Sequence, residues 1–347
     1  MQKTFLLISA AIFSLCAQMV FYNVAAFAQD ASVQKRPSLL LPIDCTLNED
    51  CWLLNYVDID TLDGKMRDFQ CGPRTYDQHG GVDFAVRDRL AMETGVNVLA
   101  AASGRVLRVR NDVPDAPPVS FEEYIKSQRG KDCGNGLIME LEDTNWQLQY
   151  CHFKEGSITF SPGDRVYAGD AIGEVGQSGV AEAPHVHMTV RHNGKIIDPF
   201  TGLTQGNGCQ AGGRSLWKDK IPYDPVNIYA AGFKGHQATF DEVKIDASPT
   251  DTISIKSKAL TLWVTLWGVR QGDTVTMTIK DPKGNVFVAQ KHEQARDRAR
   301  QFYVVGWKIG QVQLMPGEYT GTIRLRRERQ GQEPLKKEKT VKVTVVK

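Results

Sequence analysis

Two histidine motifs about a hundred residues apart supply side chains that could bind a metal ion. The first is His79-Gly80-Gly81-Val82-Asp83 and the second is His185-Val186-His187. Residues two or four apart in an extended strand point to the same side of a sheet. A helix over the first motif is disfavoured, because each glycine costs about 1 kcal/mol in a helix interior. Two imidazoles and a carboxylate suit zinc and leave one position for water. The spacing therefore predicts a catalytic metal site on a β-sheet.

A third histidine lies in the segment Tyr150-Cys151-His152-Phe153, at the end of a predicted strand. Neighbouring strand residues face opposite sides, so if His152 faces the metal, Cys151 faces away as a disulfide or core residue. Taken by itself, His152 is better explained as a half-buried strand histidine. Among the other histidines, His192 is predicted to lie in a turn, and His236 and His292 at the surface.

The ordered series of motifs resembles the lysostaphin-type (LytM-like) zinc metallopeptidases, which cut peptide cross-links in bacterial cell walls. The resemblance covers roughly residues 79–200. Besides the two histidine motifs and the segment 150–152, it includes Val98–Val106, the glycine-containing turns at 163–173 and 176–179, and Asp198-Pro199. Two features depart from the usual pattern. Val186 and Met188 replace bulkier residues, and the segment 111–132 is an unusual insertion. Neither departure affects a catalytic position.

This resemblance implies that His79, Asp83 and His187 bind one zinc ion, and that His152 and His185 are two uncoordinated catalytic histidines. Such a site would lower the pKa of bound water to about 7. An unligated histidine, with an ordinary pKa of about 6.5, exchanges protons at neutral pH. The sequence does not allot the separate roles of His152 and His185.

The length of 347 residues predicts about two domains. Short apolar runs between turn residues indicate an all-β chain. The resemblance implies a β-sheet peptidase domain of the duplicated-hybrid-motif type, assigned to residues 45–205. We expect a loosely held lead-in at 29–44, a glycine-rich linker at 206–235, and an immunoglobulin-like β-sandwich at 236–347.

Within the peptidase segment, Leu137–Leu141 and Trp146–Tyr150 are predicted to form a hairpin. Residues 111–132 carry three prolines and a predicted short helix over Phe121–Gln128. This segment is an inserted surface loop, serving either as decoration or as a lid over the site.

The C-terminal segment contains alternating runs that predict strands. These runs are Ala259–Trp267, Thr274–Lys280, Asn285–Ala289, Phe302–Ile309, Tyr319–Arg326 and Thr340–Val346. Three tryptophans (Trp263, Trp267 and Trp307) are predicted to lie in the core or on a buried sheet face. The many arginines indicate a solvated basic face, or else a contact with anionic wall polymers or a protein partner.

The N-terminus is typical of an export signal at residues 1–28. Lys3 precedes a mostly apolar stretch over Phe5–Val20, and Ala26-Phe27-Ala28 fits a cleavage site that places the mature start at Gln29. The alternative is an uncleaved membrane anchor. Gln18 and Asn23 make this alternative less favourable, because they interrupt the apolar stretch. We expect a periplasmic or secreted bacterial protein.

Six of the seven cysteines lie after the predicted cleavage site, an even number that predicts up to three disulfides in an oxidising compartment. They are Cys45, Cys51, Cys71, Cys133, Cys151 and Cys209. Six cysteines allow fifteen pairings, among which the sequence does not choose.

Charge and spacing exclude some classes of function. A formal net charge of +2 creates no strong field towards nucleic acid, and no stable membrane insertion is expected after signal removal. A structural Cys/His zinc module is excluded because the sequence contains no C-x2-C or C-x4-C pair and because export favours disulfides. The leading hypothesis is a zinc endopeptidase acting on peptidoglycan peptides. The alternatives are a non-catalytic relative that binds wall or regulates a hydrolase, and a secreted peptidase for extracellular proteins.

Overall fold

Strands dominate the computed structural model, as the short apolar runs predict. The structure describes residues 36–117, 121–142, 144–308 and 314–347, which contain 19 strands and three short helices. The predicted signal peptide and its cleavage site lie outside the described residues. No helix in these ranges is long and apolar enough to span a membrane.

The strands of the N-terminal half form one large sheet and a separate strand pair. The large sheet runs in the order β1-β2-β9-β6-β5-β4-β7, β10 and β11 extend it beyond β9, and β3 pairs with β8. The elements are β1 (Cys51–Leu53), β2 (Val82–Val86), α1 (Arg89–Thr94), β3 (Asn97–Leu99), β4 (Gly104–Arg110), α2 (Phe121–Ser127), β5 (Asn135–Leu141), β6 (Trp146–Phe153), β7 (Arg165–Val166), β8 (Ala171–Glu174), β9 (His185–His192), β10 (Lys195–Asp198) and β11 (Leu203–Thr204).

Strand β9 lies between β2 and β6, and this position brings the histidine motifs together. Asp83 on β2 is directly opposite His187 on β9, and Ala85 is opposite His185. On the other side of β9, Cys151 of β6 is opposite His187. The antiparallel register therefore places one donor of the first motif beside the second motif.

The predicted hairpin is confirmed, since β5 pairs with β6 along its length. Strand β5 alternates between buried and partly exposed residues, as expected for a strand with one face on the core. The helix predicted inside the insertion is also confirmed as α2. Asp143, in the hairpin turn, lies outside the described residues.

The expectation of a loosely held lead-in is wrong for residues 39–44. Leu39 and Ile43 are each only 1% exposed and belong to the main core. The backbone N–H of Leu39 donates to the Leu216 carbonyl, and that of Leu40 donates to the Ala101 carbonyl. The apolar run Leu39–Ile43 anchors this segment, although polar residues precede and follow it.

Three disulfides join the six cysteines: Cys45–Cys51, Cys71–Cys209 and Cys133–Cys151. The second connects a loop before β2 to the glycine-rich segment that follows β11. The third connects the end of the insertion to β6, beside His152. The prediction that Cys151 is a disulfide residue rather than a ligand is confirmed.

The C-terminal half consists of two sheets around a second core, with strand orders β12-β14-β17 and β13-β19-β18-β15-β16. The elements are β12 (Asn227–Lys234), α3 (Phe240–Ile245), β13 (Thr252–Ser254), β14 (Ala259–Val269), β15 (Thr274–Lys280), β16 (Val286–Glu293), β17 (Arg298–Lys308), β18 (Gly317–Arg329) and β19 (Gln332–Val346). All six predicted runs correspond to strands, although Asn285 precedes β16 and Ile309 lies outside the described residues. The immunoglobulin-like type and the predicted domain boundaries stay predictions, because residues 36–347 form one compact unit.

Strand β14 is buried on both faces because its alternate residues serve two different cores. Leu262 and Val264 belong to the core between the two C-terminal sheets. Trp263 and Trp267 point the other way and pack in a cluster with Trp52 and Ala85 of the peptidase sheet. The three-stranded sheet thus covers part of the sheet that carries the histidine motifs.

The tryptophan prediction holds for two of its three residues. Trp263 is fully buried and Trp267 is 8% exposed, whereas Trp307 is 44% exposed. The Trp307 indole instead donates to the Phe287 carbonyl at the sheet surface. A single alternating run could not distinguish a strand face that meets a second sheet from one that meets solvent.

Candidate metal and catalytic site

Three donor atoms from the two histidine motifs converge on one point. Asp83 Oδ1 lies 2.7 Å from His187 Nδ1 and 3.2 Å from His79 Nε2, and the two histidine nitrogens are 3.1 Å apart. His79 and Asp83 are each only 2% exposed. The structure therefore brings together all three residues predicted as metal ligands.

The spacing of these atoms fits a tetrahedral metal site. Zinc bonds of 2.0–2.1 Å place neighbouring ligand atoms about 3.3 to 3.4 Å apart. The observed separations of 2.7, 3.1 and 3.2 Å are slightly shorter and need only small side-chain shifts. A second group of metal-ligating residue types, Cys45, Asp50 and Cys51, offers no comparable site, because its cysteines form a disulfide.

His79 and Asp83 are held by groups from the segment after β1. The Tyr56 carbonyl lies 2.7 Å from His79 Nδ1, which requires the proton on Nδ1 and leaves the Nε2 lone pair towards the site. The Asn55 amide donates to Asp83 Oδ2 at 2.9 Å, leaving Oδ1 for the donor cluster. Both contacts orient a ligand atom towards the same point.

His187 is oriented by its strand neighbour Thr189. The Thr189 hydroxyl lies 2.9 Å from His187 Nε2, so a proton on Nε2 leaves the Nδ1 lone pair towards His79 and Asp83. The same ring explains a glycine of the first motif. A Cβ at Gly81 would lie 2.5 Å from His187 Nε2, a separation that real Cβ atoms do not show.

The first motif differs from its prediction in one detail. His79 precedes β2, which begins at Val82, so His79 and Asp83 do not share a regular strand. They nevertheless face one point, since the segment before β2 brings His79 Nε2 to 3.2 Å from Asp83 Oδ1. The strand periodicity used for the prediction therefore applies only to Asp83. His79 lies near Asp83 although it is not part of the strand.

His152 reaches the site through a β-bulge. Cys151 pairs with Gly136 and Phe153 pairs with Asn135, so His152 is an extra residue in β6. Its φ of 67° lies in the left-handed region, which non-glycine residues adopt mainly where surrounding contacts hold them. The Ser178 carbonyl, 2.8 Å from His152 Nδ1, is such a contact.

His185 lies next to His152, with the ring centroids 4.6 Å apart. Its Nδ1 is 2.8 Å from the Ala183 carbonyl, and its Nε2 is 3.7 Å from Asp83 Oδ1. Both histidines thus have Nδ1 committed to a backbone carbonyl and Nε2 free of that contact. The pair lies beside the three-donor cluster, as the resemblance implied.

Burial and mutual charge set the protonation of this cluster in the metal-free protein. Burial favours neutral Asp83, but His79 and His185 outweigh it and hold the pKa of this carboxyl well below its usual range. Burial lowers the pKa of His152 well below its usual value, and His185 and His187 add to the effect. Burial also lowers the pKa of His187, whereas the pKa of His79 is raised because Asp83 outweighs burial. Metal binding requires ionised carboxylate and neutral imidazole.

The insertion packs against the loop that orients His152. The Ala116 N–H donates to the Gln177 carbonyl at 3.0 Å, and the Gly179 N–H donates to the Tyr124 hydroxyl at 2.8 Å. Ser178, whose carbonyl contacts His152, lies between these two anchors. The inserted segment is therefore more than surface decoration, since it supports a residue of the site.

Four residues that position the site were not predicted from the sequence: Asn55, Tyr56, Ser178 and Thr189. Of the four, Thr189 was the easiest to predict from the sequence, because it follows His187 by two residues and so shares its face of β9. Ser178 lies in one of the glycine-containing turns of the resemblance. Asn55 and Tyr56 lie in a segment that contains no motif. Tyr56 contacts His79 through its backbone carbonyl, so its residue type could not have predicted this role.

The remaining histidines lie elsewhere. The His192 ring stacks on Trp146 with centroids 4.3 Å apart, and His192 is the last residue of β9, so the prediction that it lies in a turn is wrong. His236 is paired with Glu242 at 2.7 Å, and His292 stacks on Tyr303. None of these three is part of the donor cluster in the described structure.

Part of the chain is similar to known proteins. Residues 77–199 match the model of Peptidase family M23. The chain is 32% identical over 193 residues to Endolysin 2638A of Staphylococcus phage 2638A, a match covering 54% of this chain and 36% of the endolysin. The chain therefore spans only about a third of that relative's length.

Solved structures also match. One is a mutant catalytic domain of the prophage-encoded M23 protein EnpA from Enterococcus faecalis, with 23% identity, a TM-score of 0.28, and coverage of 42% of this chain and 88% of that chain. Another is the catalytic domain of lysostaphin from Staphylococcus simulans, with 23% identity, a TM-score of 0.27, and coverage of 42% and 85%.

Proposed function

Residues 77–199 of this chain are a domain of Peptidase family M23, and we propose that it is a zinc endopeptidase acting on the peptide cross-links or stem peptides of bacterial peptidoglycan. The proposal depends on one observation above all. Donor atoms of His79, Asp83 and His187 lie within 3.2 Å of one another, beside His152 and His185.

The chain's own residues have separable tasks in this proposal. Zinc held by His79, Asp83 and His187 would supply a Lewis acid and lower the pKa of water. His152 and His185 present Nε2 to the site, since each Nδ1 contacts a carbonyl. A neutral imidazole in this tautomer accepts a proton from the attacking water and returns it to the leaving amine. The shared orientation supports both histidines as proton carriers.

Two observations support the substrate class and the compartment. The curated relative is an endolysin, which favours peptidoglycan over other peptides for this chain. Three disulfides and the export-like N-terminus favour an oxidising compartment, either the periplasm or the medium. We propose that the mature protein begins at Gln29, and N-terminal sequencing of the exported form tests this.

The decisive experiment treats isolated sacculi with the purified mature protein, with and without chelator. We expect peptide fragments only when metal is present, and mass analysis of the fragments identifies the bond cut. His152→Ala should remove turnover while one zinc per chain is retained, because His152 is not a ligand in the proposal. His236→Gln is the matched control, since this exposed histidine pairs with Glu242 away from the site.

Three outcomes would contradict the proposal in different ways. Sacculi that are bound tightly but unchanged would indicate a non-catalytic wall-binding or hydrolase-regulating relative. Cleavage of a glycine-rich protein but not of sacculi would indicate a secreted peptidase for extracellular proteins. Loss of zinc from His152→Ala would show that this residue is a ligand.

A further inference from the structure

A cavity of about 430 Å³ lies where the three-stranded C-terminal sheet packs against the peptidase sheet. Its peptidase side includes Arg87 and the run Glu182-Ala183-Pro184. Its C-terminal side includes Trp267, Arg298 and Arg300. A volume of this size holds a small ligand or a few amino-acid residues.

The cavity is lined by residues that directly precede His185 in the chain. Pro184 lines it and precedes His185, so their Cα atoms are about 3.8 Å apart. The Ala183 carbonyl, also in the lining segment, accepts the hydrogen bond from His185 Nδ1 at 2.8 Å. The cavity therefore borders the segment that holds His185 in place.

The charge of the lining is unbalanced in favour of cations. Five cationic side chains face three acidic ones, Asp88, Glu182 and Asp241. Asp88 pairs with Arg87 at 2.9 Å, and Asp241 pairs with Lys244 at 2.6 Å. None of the ion pairs in the described part of the chain involves Arg298 or Arg300, so these two cations are available to a ligand.

Arg300 is held in place by aromatic rings. Its guanidinium lies 4.4 Å from the Trp267 ring centroid and 5.3 Å from that of Phe240. Its Nε is buried and has no hydrogen-bond partner in the described structure. An arginine fixed by cation–π contacts presents the planar fork of its guanidinium in one orientation, which suits a bidentate carboxylate.

We propose that this cavity is a substrate subsite, in which Arg298 and Arg300 bind a free carboxylate of an acidic peptide whose scissile bond lies at the histidine site. The inference rests on the proposed peptidase function and makes the C-terminal sheet part of the specificity machinery. A short peptide is favoured over a wall polymer because the cavity is small and borders His185.

The test compares two synthetic cross-linked peptidoglycan fragments, one with a free carboxylate near the scissile bond and the other with that group amidated. We expect a KM about tenfold lower for the acidic fragment, from a charge-assisted hydrogen-bond pair. Arg300→Gln and Arg298→Gln should raise KM for the acidic fragment about tenfold with kcat unchanged. They should not affect the amidated fragment.

Matched controls separate binding from folding. Arg296→Gln, at an exposed arginine that does not line the cavity, should leave both KM values unchanged. Arg300→Lys keeps the charge and should recover part of the preference. Near-ultraviolet circular dichroism checks that each variant is folded, and calorimetric binding of the acidic hydrolysis product measures the subsite without turnover.

The outcomes distinguish the two proposals. If neither fragment is cut, the proposed function fails, while preferential binding of the acidic product would still support the subsite. If both fragments are cut with equal KM, and folded Arg298 and Arg300 variants behave like wild type, the subsite is refuted. Preferential binding of a phosphate-rich wall polymer, lost in these variants, would also refute it in favour of a polymer contact.

Discussion

Thr189→Val tests whether the site depends on the orientation of His187. Thr189 is 3% exposed, and its hydroxyl lies 2.9 Å from His187 Nε2. Valine has nearly the same shape as threonine but cannot form this hydrogen bond. The substitution therefore removes one contact to the imidazole and leaves the backbone of β9 in place.

The expected magnitude follows from the contact that is lost. A buried N–H without an acceptor costs about 1 to 3 kcal/mol. Hydrogen bonds that orient a metal-binding histidine typically contribute about 10- to 100-fold in metal affinity or activity. We therefore expect Thr189→Val to lower zinc affinity by about 10- to 100-fold, with a parallel loss of activity at limiting zinc.

Competition with a chromophoric chelator measures the zinc affinity. Thr276→Val is the matched control, because Thr276 lies on β15 in the C-terminal half and is only partly exposed. Zinc affinity equal to that of wild type in a folded Thr189→Val protein would refute the reasoning. It would mean that Asp83 and the strand backbone orient His187 without help from the hydroxyl.

Three further predictions concern the surrounding structure. Gly81→Ala should abolish stoichiometric zinc binding, because its Cβ would lie 2.5 Å from His187 Nε2, whereas Gly80→Ala meets only the flexible Ile196 side chain and should retain the metal. Replacing both Cys133 and Cys151 with serine should destabilise the protein by about 3 kcal/mol in chemical denaturation, from the loop closed by this disulfide, and lower kcat through the adjacent His152. Burial raises the pKa of Asp198 from 3.8 to about 6. The folded protein therefore binds this proton more tightly than the unfolded chain, and the stability that the bound proton contributes is lost as pH rises through 6. The free energy of unfolding of Asp198→Asn should therefore gain up to about 3 kcal/mol relative to wild type between pH 4 and pH 8, since two units correspond to roughly this energy; a difference that does not vary with pH would contradict it.

The two histidine motifs were recognisable from residue type and short spacing, and the resemblance chose His79, Asp83 and His187 among their side chains. His185 and His187 share a face of β9, as a period of two requires. The C-terminal strands were predictable for the same reason, since Thr274–Lys280 alternates along its whole length. Such patterns arise locally, wherever one face of a strand is buried and the other is not.

The position of His152 was not predictable from its own segment. Its direction depends on a bulge relative to β5 and on the Ser178 carbonyl, 26 residues further along the chain. A bulge is defined by the pairing of two strands, and no single strand sequence contains that information. The resemblance identified this residue, while the structure shows how it reaches the site.

The sequence by itself determined the two histidine motifs, the all-β class, the even number of cysteines and the strand periodicity, because each is a property of single residues or near neighbours. The tertiary structure alone decided the disulfide pairing, the carbonyl of Tyr56 that orients His79, and the packing of Arg300 against Trp267 and Phe240. These contacts join segments far apart in the chain. They arise from sheet register and from burial of apolar faces against one another, which only the folded chain brings about.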